Sequence, residues 1–442
     1  MPPVDPSTLS GIPAPLWFIQ AFRIIGFVLH SIPMHLWLAG LPIVLLLYMI
    51  GGRNGSICAK RLFKQFPIIM ALGINLGVVP LLFIQSVWYK AFYPSTILLA
   101  VHWLSILFLL IIAYYGLYYC SFQSENPKKR WTILAGLGTS LCLLAIALIF
   151  SSVYTFMALP SAWGTVYEKT SLSGAVSGMG TYWRDPILYV RLGGIIGLGF
   201  ITFAFWVAFD ALVLNQTEEE EEPAEVEQSE KKGSGSSASS APLASKMSKK
   251  EKKKLRKMQD LTEEEELAEL EAMEREENEA AAKTSKKSAP KKRRGYQAWA
   301  FTLASCLGWI GVLIASAALW YQYYQFLPMD DPGLAFLNQS PWKYLPMAVL
   351  GSLALPILVL TLGSWRMLSK KIFAAGIILS EFTILGLFAS TRQIIQNGQL
   401  SGYLDINTFG IAVEWSPLIV FLVVFAVAIC LIWKMIRQMA NA

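Results

Sequence analysis

Outside one segment, this chain has very little charge. Its 442 residues carry 37 basic and 30 acidic side chains, of which residues 216–295 alone hold 18 basic and 20 acidic. The other 362 residues hold 19 basic and 10 acidic, about 8%, against roughly 25% in soluble globular domains. So few charges could not cover the surface of a soluble protein of this size. Cysteine is scarce as well: Cys58, Cys120, Cys142, Cys306 and Cys430 are scattered, with no C-x-x-C and no C-x-x-C-H. That spacing excludes zinc ribbons, iron–sulfur clusters and covalently attached haem. The three histidines, His30, His35 and His102, are too few for a haem–copper oxidase or a four-helix cytochrome b with two bis-histidine haems. No Walker motif is present, and acids within the apolar segments are too sparse for a proton antiporter. The net charge of +7 is not a nucleic-acid footprint, because the excess basic residues stand at the ends of apolar segments rather than in a patch.

What the chain has is long apolar runs, and about 20 apolar residues suffice for a helix to cross the hydrocarbon of a bilayer. Nine are read as helices, at about 15–50, 66–90, 95–121, 131–157, 187–214, 296–326, 345–365, 372–391 and 417–436. Residues 1–14 contain no Lys or Arg, and the first run is far longer than a signal h-region, so it is expected to stay as a span. Arg53, Lys60, Arg61, Lys64, Lys128–Arg130, Arg293, Arg294, Arg366, Lys370, Lys371, Lys434 and Arg437 gather at one set of helix ends. The positive-inside rule makes that side cytoplasmic, with the N-terminus outside and the C-terminus inside. Trp88, Trp163, Trp183, Trp342 and Trp415 are expected as an aromatic belt at the outer ends. The fold class is therefore all-α: a polytopic transmembrane bundle of about nine spans. It divides into a five-helix region (1–215), a charged cytoplasmic linker (216–295) and a four-helix region (296–442). The linker reads as disorder or one solvated helix. Outer loops at about 158–186 and 392–416 are the substantial ones, the first either a docking surface or an ordinary connection.

Polar side chains inside spans are costly and mark candidate sites. At 1.5 Å per residue, His30 lies on the outer half of the first helix, with His35 about 7.5 Å deeper and on another face. His102 lies about 10 Å below the expected outer end of the third helix. Two imidazoles at one depth on different helices suit the two faces of a haem iron; hydrogen bonding to neighbouring helices is the alternative for each. Arg191 stands at the same outer depth, either beside a propionate or quinone oxygen or snorkelling to the interface. Glu381 is about ten residues from either end of the eighth run, as a proton relay or an interhelical hydrogen bond. Asp210 is expected at the inner interface. Asn75 and Gln85 are expected to hydrogen-bond between helices.

Several short segments resemble subunit I of the cytochrome bd quinol oxidases. Leu29-His30-Ser31-Ile32-Pro33, with Gly40 following, resembles that family's first-helix haem-ligand region. Gly73-Ile74-Asn75-Leu76-Gly77-Val78 is the nearest match, in the second helix. Leu98-Leu99-Ala100-Val101-His102 falls where the family has a ligand-sphere glutamate, so a histidine replaces an acid. Arg191 falls where the family carries a second haem-binding histidine. Thr391-Arg392-Gln393 resembles part of its Gly-Arg-Gln-Pro-Trp segment. The loop 327–344 is too short to be its quinol-binding loop. The resemblance covers about half the chain, the first five helices above all. It implies a membrane electron-transfer or anchoring subunit with one haem b or none and a quinone or quinol as substrate.

The expectation is a subunit of a quinol-dependent oxidoreductase in a bacterial inner membrane. It would link the quinone pool to an extracytoplasmic redox protein such as a multihaem cytochrome c, beside other membrane subunits and lipid. His30 and His102, with His35 as a weaker ligand, would hold any haem iron. Arg191 would supply positive charge there and Glu381 would handle a proton. The alternative is a haem-free scaffold that docks partners without redox chemistry.

Overall fold

The computed structural model describes residues 14–123, 129–214, 295–326, 331–365, 367–404 and 415–441. The charged linker expected at 216–295 lies, but for Gly295, outside these. The described residues within Met1–Leu214 and Ala300–Ala442 pack as one compact unit. Helix is the dominant structure, and among the described residues the nearest thing to a strand is an isolated bridge between Leu172 and Ala175.

In chain order the helices are α1 (Leu16–Ile50), α2 (Gly52–Val87), α3 (Tyr89–Leu98), α4 (Ala100–Phe122), α5 (Lys129–Met157) and the short α6 (Trp163–Thr170). They continue with α7 (Pro186–Phe209), α8 (Gly295–Tyr324), α9 (Pro332–Gln339), α10 (Leu345–Ser352), α11 (Ala354–Ser364), α12 (Lys370–Leu400) and α13 (Trp415–Asn441). Among the described residues eight helical stretches are long and apolar enough to cross a membrane, with α10 and α11 forming one of them. A shorter apolar run, Ile419–Leu431, lies in α13. Its Phe421 and Phe425 rings pack on Phe22, each with centroids 5.4 Å apart.

The chain sets these boundaries by recognisable means. Asp185 accepts from the Ile187 amide at 3.0 Å and Asp331 from those of Gly333 and Leu334 at 2.8 and 3.1 Å, each before a proline at the first helical position of α7 and α9. A carboxylate cap with proline behind it satisfies donors that the first turn leaves open. Pro356 has no N–H for the Ser352 carbonyl four residues back, and Ser352 is where α10 stops. The expected third helix breaks at Leu99 into α3 and α4, so His102 stands in the first turn of α4 instead of deep within a helix. The basic stretch 53–64, expected as a loop, belongs to α2. The loop expected at 392–416 begins later, because α12 carries Arg392 and Gln393 within it.

Burial decides which spans are central. The most apolar window of α1 is 67% buried and that of α7 61%, but those of α4 and α5 only 11% and 22%. Leu104, Leu107, Phe108, Ile111 and Ile112 are exposed along α4, the pattern of a lipid-facing helix. α1 and α7 are the core pair and carry most of the polar side chains described below. α7 also meets α8 closely. A Cβ on Gly197 would lie 2.5 Å from the Ala315 nitrogen, and one on Gly311 would lie 2.8 Å from the Gly197 carbonyl oxygen. Small residues of this kind let helix backbones approach inside a membrane. Gly197→Val is expected to destabilise the fold by about 1–3 kcal/mol through overpacking against backbone. Thermal unfolding in detergent reads this out, and an unchanged midpoint would refute the contact.

Candidate functional site

Polar side chains are strung along α7 at three levels. Arg191, Thr202 and Asp210 are eleven and eight residues apart, about 16 and 12 Å along the axis. Together they span nearly the ~30 Å of a hydrocarbon core. Each is met by polar groups from other helices.

The middle level is a buried chain of three side chains. The Thr202 hydroxyl lies 2.9 Å from His35 Nδ1, 2.5 Å from Glu381 Oε1 and 3.0 Å from the Leu198 carbonyl oxygen. His35, Thr202 and Glu381 are 2, 4 and 6% exposed. Immediately after His35 the first helix turns π-helical over Leu36–Gly40, and this wider turn packs against α7. A π segment inside an α-helix is a common device at functional sites. The hydroxyl has one proton to give and two lone pairs. If it donates to the Leu198 oxygen, Glu381 must be the donor to Thr202. If it donates to a carboxylate at Glu381, the Leu198 oxygen loses that bond. The cluster therefore has two hydrogen-bonded states that differ by one proton on Glu381. No cation pairs with Glu381 among the described residues.

The second level is at the basic end of the bundle. Asp210, where α7 passes into a π-helical turn, accepts from Arg61 Nε at 3.1 Å, Arg61 Nη2 at 3.3 Å and Gln65 Nε2 at 2.9 Å. Gln65 Oε1 in turn accepts from Trp206 Nε1 at 2.8 Å. Asp210 is 1% exposed, so it is a buried ion-pair centre and not the interfacial residue expected from its position.

The third level, at the opposite end, holds three arginines. Arg23 of α1 is buried, donates to Gln396 Oε1 of α12 and lies over the Trp88 ring at 4.2 Å. Arg392, one turn before Gln396, stacks on Phe27 at 4.7 Å and Tyr154 at 5.0 Å. Arg191 donates to Thr155 Oγ1 at 2.9 Å. Trp88 is fully buried and not part of an aromatic belt, because a guanidinium and the core around Phe92 and Met157 cover it. Outside the spans, burial and then the Asp185 carboxylate push the Tyr182 phenol above its ordinary value, so it remains a donor to Asp185 at 3.0 Å.

The two histidines expected to face each other do not. His30 is held at the α1–α2 interface, with Nδ1 2.8 Å from the Gly73 carbonyl oxygen and its ring filling the notch at Gly77, where a Cβ would lie 2.8 Å away. Trp37 fills the neighbouring notch at Gly73. His102 stands at the start of α4 against Trp183, ring centroids 5.5 Å apart, with Nδ1 buried and unpartnered. α2 packs against both α1 and α4, whereas α1 and α4 share no substantial interface. Each imidazole is thus engaged by a different neighbour, His30 by the Gly73 carbonyl oxygen and His102 by the Trp183 ring. His35 is turned to Thr202. Among the described residues no cluster of three His, Cys, Asp or Glu could hold a metal ion. Asn75, expected to reach another helix, bonds back to the Ala71 carbonyl oxygen in its own.

Sequence reasoning singled out Glu381, His35 and Arg191 but passed over Thr202 and Arg23. Arg23 carried a signal, being a cation inside the first apolar run. Thr202 carried none, since a lone threonine in a span is ordinary.

No protein-family model and no curated protein matches the chain. A solved structure does: the bd oxidase from Geobacillus thermodenitrificans, at 10% identity and a TM-score of 0.57, covering 98% of this chain and 99% of that chain. The likeness expected over half the chain thus extends, as a fold, over nearly all of it. In fold, this chain is similar to that bd oxidase, a helical membrane bundle.

Proposed function

We propose that the chain is an integral membrane subunit of a respiratory electron-transfer complex in a bacterial inner membrane. It links the quinone pool to an extracytoplasmic redox protein, for which a multihaem cytochrome c has the right chemistry. Oxidising a quinol releases two electrons and two protons. The electrons pass to the redox partner, Glu381 takes up one proton and hands it on through Thr202, and the other proton leaves to water. The observation that carries this reading is the His35–Thr202–Glu381 cluster, a carboxyl buried in mid-bundle whose hydrogen bonds exist in two protonation states. Asp210 with Arg61 and Gln65 lies one step further along α7, toward the basic end. By the positive-inside rule that end is cytoplasmic, with the N-terminus outside and the C-terminus inside.

Quinol-dependent electron transfer by purified complex tests the reading, with Glu381 variants discussed below. A haem-free scaffold predicts intact assembly and no dependence on Glu381. Spectroscopy supplies a separate check. His30→Ala and His102→Ala are each expected to leave any reduced-minus-oxidised haem band of the purified complex unchanged, because the two rings serve different interfaces. Loss of one band in both variants would restore the two-imidazole site.

A further inference from the structure

Three arginines inside a bundle call for an anion, and among the described residues the acids that act on them are already engaged. Arg23 is 6% exposed, and Arg191 and Arg392 are half-buried. They are close in the fold: Gln396, which accepts from Arg23, stands one turn after Arg392 on α12, Tyr154 under Arg392 adjoins Thr155, which accepts from Arg191, and the Tyr321–Phe326 turn that carries Tyr323 packs against α7. Among the described residues no carboxylate pairs with any of them. Among the described residues, the acids that act on Arg191 are Asp185 and Asp331. Asp185 is occupied by the Ile187 amide and the Tyr182 hydroxyl. Asp331 is occupied by the Gly333 and Leu334 amides and by Gln399 Nε2. Meanwhile two buried polar groups in the cluster lack partners, Arg23 Nη1 and the Tyr323 hydroxyl. Buried guanidinium donors are ordinarily paired or hydrogen-bonded, because losing water without replacement is costly. The faces of Trp88, Phe27 and Tyr154 offset part of that cost, but an aromatic face accepts none of the in-plane N–H bonds.

We propose that Arg23, Arg191, Arg392 and Tyr323 form a binding site for a phosphate-type oxyanion. Guanidinium forks match phosphate oxygens, and cations arriving from α1, α7 and α12 suit a tetrahedral group with oxygens in several directions better than a planar carboxylate. Arg191 and Arg392 keep partial exposure, so a ligand reaches them without opening the core. Arg191 stands about 7 Å and Arg392 about 12 Å from the ends of their helices, a depth that either a phospholipid headgroup or free phosphate can reach. The site is independent of the Glu381 chemistry.

The test is thermal unfolding of the purified full chain in detergent with added phosphatidylglycerol, phosphatidylcholine or inorganic phosphate, with native mass spectrometry of the untreated protein. A rise of several degrees with phosphatidylglycerol but not phosphatidylcholine or phosphate assigns a lipid headgroup. An equal rise with inorganic phosphate assigns a free-phosphate site. Either shift is expected to vanish in the Arg191→Gln/Arg392→Gln variant. No shift with either anion, or the same shift in the double variant, overturns the proposal. If that variant fails to fold, mass spectrometry decides: a phosphate-bearing adduct on the wild-type chain supports the site, and its absence with no anion-specific shift overturns it.

Discussion

Glu381→Gln is expected to lower quinol-driven turnover by about 10²–10⁴-fold, the usual contribution of a positioned proton donor or acceptor. Helix content and assembly should survive, because glutamine keeps the shape of the side chain and can still bond the Thr202 hydroxyl. What it cannot do is exchange a proton. Thr202→Val extends the argument, since it removes the hydroxyl that joins His35 to Glu381 while preserving volume. It should slow turnover too, and Thr202→Ser should restore it. A purely structural role for the cluster predicts the reverse order, with stability lost and turnover per folded molecule kept. Turnover is read with a quinol and an artificial electron acceptor, and folding by circular dichroism and gel filtration. Wild-type turnover in well-folded Glu381→Gln would end the assignment.

Asp210→Ala should be strongly destabilising, costing about 3–5 kcal/mol, because it breaks a buried ion pair that also receives the Gln65 amide. Asp210 is 2% and Arg61 12% exposed at the side chain, so little solvent screening reduces the effect. The loss spreads, because Gln65 bridges Asp210 to Trp206 and would be left without its acceptor. Replacing both partners, as in Arg61→Leu/Asp210→Leu, should recover much of the stability, since well-packed apolar residues often replace a buried ion pair at little or no cost. Unfolding midpoints in detergent measure both variants. A change under about 1 kcal/mol in Asp210→Ala would show the pair to be a weak, solvent-screened contact.

The bilayer makes some of this protein legible residue by residue. Transfer of a helix into hydrocarbon depends on its own side chains, so hydropathy alone located the spans and excluded a soluble fold. The same reasoning marked Glu381, because a carboxyl in an apolar run has no inexpensive explanation. It failed where several helices share the cost. Arg392, with Gln393, Gln396 and Asn397 close behind, looked like the end of a span, yet α12 continues to Leu400. Phe27 and Tyr154 cover that cation from other helices, and a single-helix pattern contains no trace of them. His30 and His102 were placed by depth along separate axes, a coordinate that says nothing about rotation. The structure turned His30 to Gly73 and His102 to Trp183.

The sequence by itself determined the class of this protein, a helical membrane bundle with its charge set apart, because lipid judges each segment alone. Only the tertiary structure decided which polar groups meet. Thr202 joins His35 to Glu381, Asp210 binds Arg61, and Arg392 stacks on Tyr154 while Arg191 bonds the adjoining Thr155. Those meetings depend on how each helix is rotated and where π-helical turns shift its faces. Rotation is chosen by packing against partners distant in the chain, such as Gly197 against Ala315, and not by any local pattern of residues.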